Sequence, residues 1–278
     1  MSQRYVPAQI VSSDEPEFGA YRPTGIQGWL LSIVKIPPLN RGKFRRPSAN
    51  LIRSMSPNGI VDTKMRNASF RLRTGTNLIE DAILVCPKYN AKEIDFLIAG
   101  TPSDGVFIDL GANIGLYTLA IAKNIGPEGR VLAVDANADI IAALEFNIAA
   151  SQCNNIIVAN VAVGESDGLA RLEIRKDDLA IVEVAEDPTG NIQIRPLADV
   201  VRDAGLTRVD TLKADIEGYE DRALIPYLLE VPDALRPNRM VIEHLSRSEW
   251  KTDCFPVFES LGYRIVGKAR SNTLFQRN

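Results

Sequence analysis

The sequence predicts an α/β fold: a doubly wound, mostly parallel sheet of seven strands with a terminal antiparallel hairpin, preceded by a small α+β extension. Three observations predict it. From Val106 onward, short apolar runs alternate with helix-forming segments, the pattern of strands joined by crossover helices into one sheet. The first run, Val106 to Ile108, leads through Asp109 and Leu110 into Gly111 and Gly115, which reads as a buried strand, a tight loop and a helix start. Near the chain end, Tyr263–Gly267 and Thr273–Gln276 are separated by a short polar turn and can pair as a hairpin.

The elements follow in order. The first 25 residues are polar, with scattered Pro and Gly, and are expected to form a loose arm. Gly28–Lys35 is a short apolar stretch halted by Pro37 and Pro38. Ile60–Lys64 and Ala68–Arg73 read as a small antiparallel pair, Asn77–Leu84 and Ala91–Ala99 as short helices, and Thr101–Gly105 as a linker turn. This divides the chain into an arm and a substrate, lid or docking extension over residues 1–76, and a main domain over residues 77–278. In the main domain, helices are expected at Leu116–Lys123, Ala138–Ser151 and Pro196–Ala204, the last stopped by Gly205. Strands are expected at Arg130–Asp135, Asn155–Val161, Val209–Ala214 and Arg239–Glu243, with an extra strand at Leu169–Ile174 and a loop at Asp187–Gly190.

Bulk properties narrow the function classes. A chain of 278 residues is long enough for one large core or a domain with an appendage. At 45% apolar, 24% charged and a formal charge of −3, it has no basic excess suggesting nucleic acid. Cys86, Cys153 and Cys254 are far apart and lack metal-type spacing, which suits reduced core thiols in a cytoplasmic protein. No signal-like pattern opens the chain, and no apolar run approaches the roughly 18 residues of a membrane span. One local asymmetry stands out. Between Glu17 and Asp62 there is no acid but seven bases: Arg22, Lys35, Arg41, Lys43, Arg45, Arg46 and Arg53. A solvated helical face docked by its apolar side explains this; a cradle for an acidic substrate or a peripheral membrane patch would explain it too.

The glycine loop indicates which ligand to expect. A dinucleotide fingerprint is Gly-x-Gly-x-x-Gly aimed at a pyrophosphate. Here the pattern is Asp-x-Gly-x-x-x-Gly, Asp109 to Gly115, and an acid two residues before the first glycine suits an amino-acid ammonium better than a pyrophosphate. That favours S-adenosylmethionine over NAD, with the loop residues Asp109, Gly111, Asn113 and Gly115 as cofactor-binding candidates. Asp135, 20 residues after Gly115 at the tip of the next strand, is placed to accept ribose hydroxyls. Asn160 and Val161, at a third tip, are placed to read the adenine by hydrogen bonding and packing. Asp215 and Glu217 enter the cleft from Asp215-Ile216-Glu217-Gly218, and Glu243 with His244, the lone histidine, from the neighbouring strand.

These stretches resemble the FkbM-type S-adenosylmethionine-dependent methyltransferases. The resemblance is carried by Val106–Gly115, Ala162-Val163-Gly164 with Asp167-Gly168, Leu212–Glu220 and Ile242-Glu243-His244, and spans about residues 77 to 278. It implies a Rossmann-like class I fold and O-methylation of a hydroxyl on a sugar, glycan or other small natural product. The glycine loop and Asp135 would then bind cofactor, and Asp215, Glu217, Glu243 and His244 would border the acceptor. Asp135-Ala136-Asn137 departs from the Glu-Pro common in such families but keeps the acid.

A hydroxyl is a poor nucleophile near neutral pH, so a carboxylate or histidine must help remove its proton. Asp215 and His244 are the leading candidates for that base, with Glu217 and Glu243 orienting. Asp215, Glu243 and His244 also form a conceivable Mg²⁺ site, a less favoured alternative. The rival readings are an NAD-linked oxidoreductase, against which the third glycine is missing, and a non-catalytic binding protein on the same fold.

Overall fold

The computed structural model describes residues 15–73, 77–174 and 182–277. Helices α1 (Gly25–Val34) and α2 (Arg45–Ser54) lead to the antiparallel pair β1 (Val61–Met65) and β2 (Ala68–Leu72), then to α3 (Leu78–Val85) and α4 (Ala91–Ile98). Next come β3 (Val106–Leu110), α5 (Leu116–Ala122), β4 (Arg130–Asp135), α6 (Ala138–Ser151) and β5 (Ile156–Asn160). Short strands β6 (Ala162–Gly164), β7 (Gly168–Ile174), β8 (Val182–Glu186) and β9 (Ile192–Pro196) precede α7 (Leu197–Asp203). The chain closes with β10 (Thr211–Ala214), α8 (Glu220–Glu230), β11 (Arg239–Glu243), α9 (Cys254–Ser260), β12 (Tyr263–Lys268) and β13 (Asn272–Arg277).

Seven strands form the main sheet in the order β12-β13-β11-β10-β3-β4-β5. The pairs from β11 through β5 are parallel, while β13 runs antiparallel to both neighbours. The expected architecture is therefore present, including the closing hairpin. All five residues of β3 are buried, as a central strand covered on both faces requires. Phe107 points into a cluster with α5, α6 and the extension, and Ile108 and Leu110 into a second cluster with α7, α8 and α9. The chain leaves β3 toward β4 and β5, then returns to β10 on the other side. Direction thus reverses between β3 and β10, and ligands bind at such a switch point beyond the strand ends. The register reinforces this: Leu110 pairs with both Val134 and Ala214, so the chain leaves these three strands side by side.

The structure adds a second, four-stranded sheet in the order β6-β9-β7-β8, of which only the Leu169–Ile174 strand was expected. It also tightens part of the expected arm, residues 1–14 of which lie outside the described residues. The buried Arg71 guanidinium donates to both carboxylate oxygens of Asp62 at 2.8 and 2.9 Å, and to the carbonyls of Pro16 and Glu17 at 2.6 and 2.9 Å. Asp62 in turn accepts from the backbone of Gly19 and Tyr21. A cation with five donors and no exposure must find acceptors, and the chain preceding α1 supplies them.

The extension joins the main core: Leu31, Val34, Ile52, Val61 and Phe70 share one buried cluster with Phe107 and Leu119. Not all of its bases are solvated. Arg53 is buried against Glu80 and Asp81 of α3, and Arg45 stands over the Tyr89 ring. The three cysteines are unpaired, and burial raises each thiol's pKa. No described helix is long and apolar enough to cross a membrane.

Candidate active site

The cavity at the switch point is built from four strand ends. The loop after β3 turns on Gly111, at φ +71°, whose N–H donates to the Val134 carbonyl at 2.9 Å. A Cβ there would lie 1.9 Å from the carbonyl oxygen of Asp215, so the loops after β3 and β10 touch backbone to backbone only because residue 111 is glycine. Gly115 caps α5 at φ +98°, and a Cβ there would meet Leu144 of α6 at 2.7 Å. The first glycine thus serves a loop–loop contact, the second helix packing.

Asp135 ends β4 at the cavity wall. Its carboxylate accepts the backbone N–H of Asn113 at 2.9 Å and of Asn137 at 3.0 Å, one on each oxygen, which leaves lone pairs for a ligand's hydroxyls. Burial raises its pKa, opposed by those two bonds and by Lys213. Asn113, at φ +49°, accepts from Asn77 at 3.0 Å, tying the loop to the start of α3. Gly111, Asn113, Asp135 and Val161 all line the cavity, with apolar walls from Ile79, Ile140 and Val163. Two hydroxyl-accepting oxygens beside an apolar slot fit a nucleoside. Asn160 lies outside this lining; its amide donates to the Asp135 carbonyl at 2.9 Å and is exposed.

Asp109 is placed beneath the loop instead of facing the cavity. It is fully buried and accepts from the Thr118 backbone and hydroxyl at 3.0 and 2.6 Å. Its cross-strand neighbour Lys213 lies 3.4 Å away. The Lys213 ammonium also donates to the carbonyls of Leu110 and Gly111 at 3.1 and 2.6 Å, and stands 3.9 Å from Asp215. Burial works to lower its pKa, but Asp109, Asp215 and Asp135 outweigh it and the net direction is upward. The ammonium therefore stays charged and grips the glycine loop from below. Sequence reading missed Lys213, since one lysine in an apolar strand resembles an edge charge; its register with Asp109 was the available signal.

The acceptor side is the loop after β10. Asp215, Ile216, Glu217 and Tyr219 line the same cavity as Asp135. Glu217 sits at φ +52°, a backbone region costly for a side chain, and burial raises its pKa to about 8, with Asp215 and Glu243 adding to the shift. Glu220 fixes the loop: its carboxylate accepts from the backbone of Ile216 and Gly218 at 2.8 and 3.1 Å and from the Trp250 indole at 2.7 Å. Glu243 and His244 are outside the cavity lining. Burial raises Glu243 to about 7, against bonds from the Leu245 and Ser246 backbone. His244 meets the Thr273 hydroxyl through Nδ1 at 3.0 Å; burial, then Lys268 and Arg247, lower its pKa. Asp215 and Glu217 are thus brought together with Asp135, whereas His244 is held elsewhere. Among the described residues, no three His, Cys, Asp or Glu side chains converge in a way that could hold a metal ion.

Several solved structures and one sequence profile are similar to this chain. Among solved structures, the chain is similar to an O-methyltransferase of Bacillus cereus in complex with SAH (10% identity, 89% of this chain and 96% of that one, TM-score 0.42). It is also similar to precorrin-6y C5,15-methyltransferase of Geobacter metallireducens (13%, 69% and 90%, TM-score 0.43) and to an rRNA methylase of Streptococcus thermophilus (10%, 67% and 94%, TM-score 0.38). Likeness at these levels bears on neither the acceptor nor any residue's role. A comparison with curated proteins gave no match. The sequence profile described as Methyltransferase FkbM domain matches residues 109–265, from the glycine loop to the closing hairpin. Its reach covers every strand tip that builds the cavity, and with the sheet order above it places this Rossmann-like class I chain in the FkbM methyltransferase family.

Proposed function

We propose that the protein transfers a methyl group from S-adenosylmethionine to a hydroxyl oxygen of a small acceptor, of the sugar or glycan type. The observation that carries this reading is that Asp215 and Glu217 share one cavity with Asp135 and the glycine loop. When bound, the cofactor supplies an electrophilic methyl group. Asp135 would accept the ribose hydroxyls, Gly111 and Asn113 would bring backbone close, and Ile140, Val161 and Val163 would enclose the adenine.

Methyl transfer needs an in-line approach, so the chain's main task is positioning and exclusion of water. Glu217 accepts the hydroxyl proton: with a pKa of about 8 its ionised form is a strong base, matched to mildly alkaline conditions. Asp215, beside the Lys213 ammonium, orients the hydroxyl. Two adjacent carboxylates also suit an acceptor with neighbouring hydroxyls, which supports a sugar.

Calorimetry and single-turnover rates on a panel of glycans and hydroxylated metabolites test the reading. Wild type should bind S-adenosylhomocysteine and not NAD. Asp135→Ala should weaken that binding by about 1.5–3 kcal/mol for each hydrogen bond lost. Glu217→Gln should slow transfer about 10²–10⁴-fold with cofactor affinity retained. Preferential NAD binding would point to an oxidoreductase, and binding of neither to a non-catalytic protein; methylation confined to amines would remove the hydroxyl assignment.

A further inference from the structure

The extension presents an unusual surface outside the cavity lining described above. Eleven large apolar side chains are exposed among the described residues, and six of them lie between Ile26 and Met55: Ile26, Trp29, Ile36, Phe44, Leu51 and Met55. Three lie on helices α1 and α2 and three in the turns beside them. On α1, Ile26 and Trp29 project from one face, 73% and 65% exposed, while Leu31 and Val34 face the core. On α2, Leu51 continues the stripe begun by Phe44, while Ala49 and Ile52 are buried. Each helix buries one apolar face; α1 leaves Ile26 and Trp29 exposed as well, and α2 leaves Leu51 exposed among polar neighbours. Exposed large apolar side chains concentrated in one segment mark an interaction site.

Charge narrows the partner. No acid occurs between Glu17 and Asp62, and Arg22, Arg41 and Lys43 are exposed with no ion pair among the described residues. Arg22 and Lys35 also line a cavity of about 460 Å³ together with Lys64. Burial lowers the Lys35 pKa, and an anion in that cavity would favour its charged form. The one acid lining that cavity, Asp62, is already committed to Arg71 and two backbone N–H groups. A second copy of this chain docking through the same face would set these bases against their equivalents. A nucleic acid would satisfy the bases but give Ile26, Ile36 and Leu51 nothing apolar to bury against.

We infer that α1, α2 and the turn between them form a docking surface for an anionic lipid bilayer, with Trp29, Ile26 and Ile36 entering the headgroup–acyl boundary and Arg22, Arg41 and Lys43 meeting the lipid phosphates. Both requirements for such binding are on one segment, apolar area to insert and basic charge to attract. The rest of the chain carries the opposite net charge: the whole is −3 although this stretch is all basic. Repulsion of the remainder from an anionic membrane would hold the molecule with this face inward.

The test uses the full chain with vesicles of phosphatidylcholine alone and of phosphatidylcholine with 30 mol% phosphatidylglycerol, that is, about three lipids in ten anionic. Co-sedimentation should occur with the anionic vesicles only and should fall as salt rises. Replacing Arg41 and Lys43 by Gln should weaken it about fivefold per base. Ile26→Ser with Trp29→Ser should abolish it, and because both residues are exposed, circular dichroism should show the fold retained. Tryptophan emission should shift to the blue on anionic vesicles in wild type. That shift should vanish in Trp29→Phe, which keeps the apolar side chain and so keeps sedimenting. Equal binding by wild type and the serine variant, or no binding at low salt, overturns the inference. So does a dimer that the serine variant dissociates, which would assign the face to self-association, or retention by RNA with none by vesicles.

Discussion

Lys213 is a single cation serving two carboxylates and two carbonyls, and its removal should show how much of the site it supports. In Lys213→Met, Asp109 would remain fully buried without its cation, a loss of about 3–5 kcal/mol by the usual cost of breaking a buried pair. Chemical denaturation checks this, and a change under about 1 kcal/mol would mean that Thr118 alone satisfies Asp109. Glu217 makes a prediction of opposite sign. Its pKa stands at about 8 in the fold against an ordinary 4.5, so the folded state holds that proton more tightly than the unfolded chain does. The penalty is absent below the unfolded pKa, grows as pH rises between the two values and is complete above the folded one. Glu217→Gln should accordingly raise the melting temperature at pH 9 and leave it unchanged at pH 4, the two pH values lying outside the window at roughly one unit or less. Wild-type kcat/KM for methyl transfer should rise through an apparent pKa near 8. At this scale the sequence was readable where a residue's position defines its surroundings: Asp135 follows from ending a strand beside a glycine loop. Asp109 and His244 were not, because nothing local determines whether a side chain at a strand tip turns toward the cavity or toward Thr118 or Thr273.

Among the elements, the loops after β3 and β10 depend on one missing methyl group. Gly111→Ala combines a positive φ with a Cβ 1.9 Å from the Asp215 carbonyl, whereas Gly205→Ala, at φ +68°, has nothing within 4 Å of its Cβ. The second should cost about 1 kcal/mol through backbone conformation alone. The first should cost more and also lower affinity for S-adenosylhomocysteine; equal melting temperatures for the two variants would show that the loops can separate freely. The main sheet was legible from apolar runs and glycine punctuation because its strands are buried on both faces. The strands β8 and β9 carried a weaker signal, the alternation in Val182–Glu186 and Ile192–Arg195, which is easily taken for loop around Asp187–Gly190. The helix Gly25–Val34 was visible in the sequence only as the apolar stretch Gly28–Lys35, and in the structure Thr24 makes no side-chain capping bond at its start.

Across the whole molecule, the cut at residue 76 is a division of motifs more than of packing, since Ile52 and Phe70 bury against the same cluster as Phe107. Arg71 carries this further. Its guanidinium sits between the rings of Tyr21 and Phe146, 4.9 and 4.2 Å from their centroids, while the carbonyls of Pro16 and Glu17 close around it. A shortened chain starting at Phe18 would strand a fully buried cation short of two carbonyls and of the Glu15 carboxylate. Such a truncation should lower the melting temperature by several degrees, on the order of 2–4 °C per kcal/mol for a chain of this size; an unchanged value would show that water can replace the lost acceptors. The segment ahead of the first helix therefore acts as a stopper over the Arg71 guanidinium. A protease that trims it would loosen the fold without cutting any residue that lines the cavity.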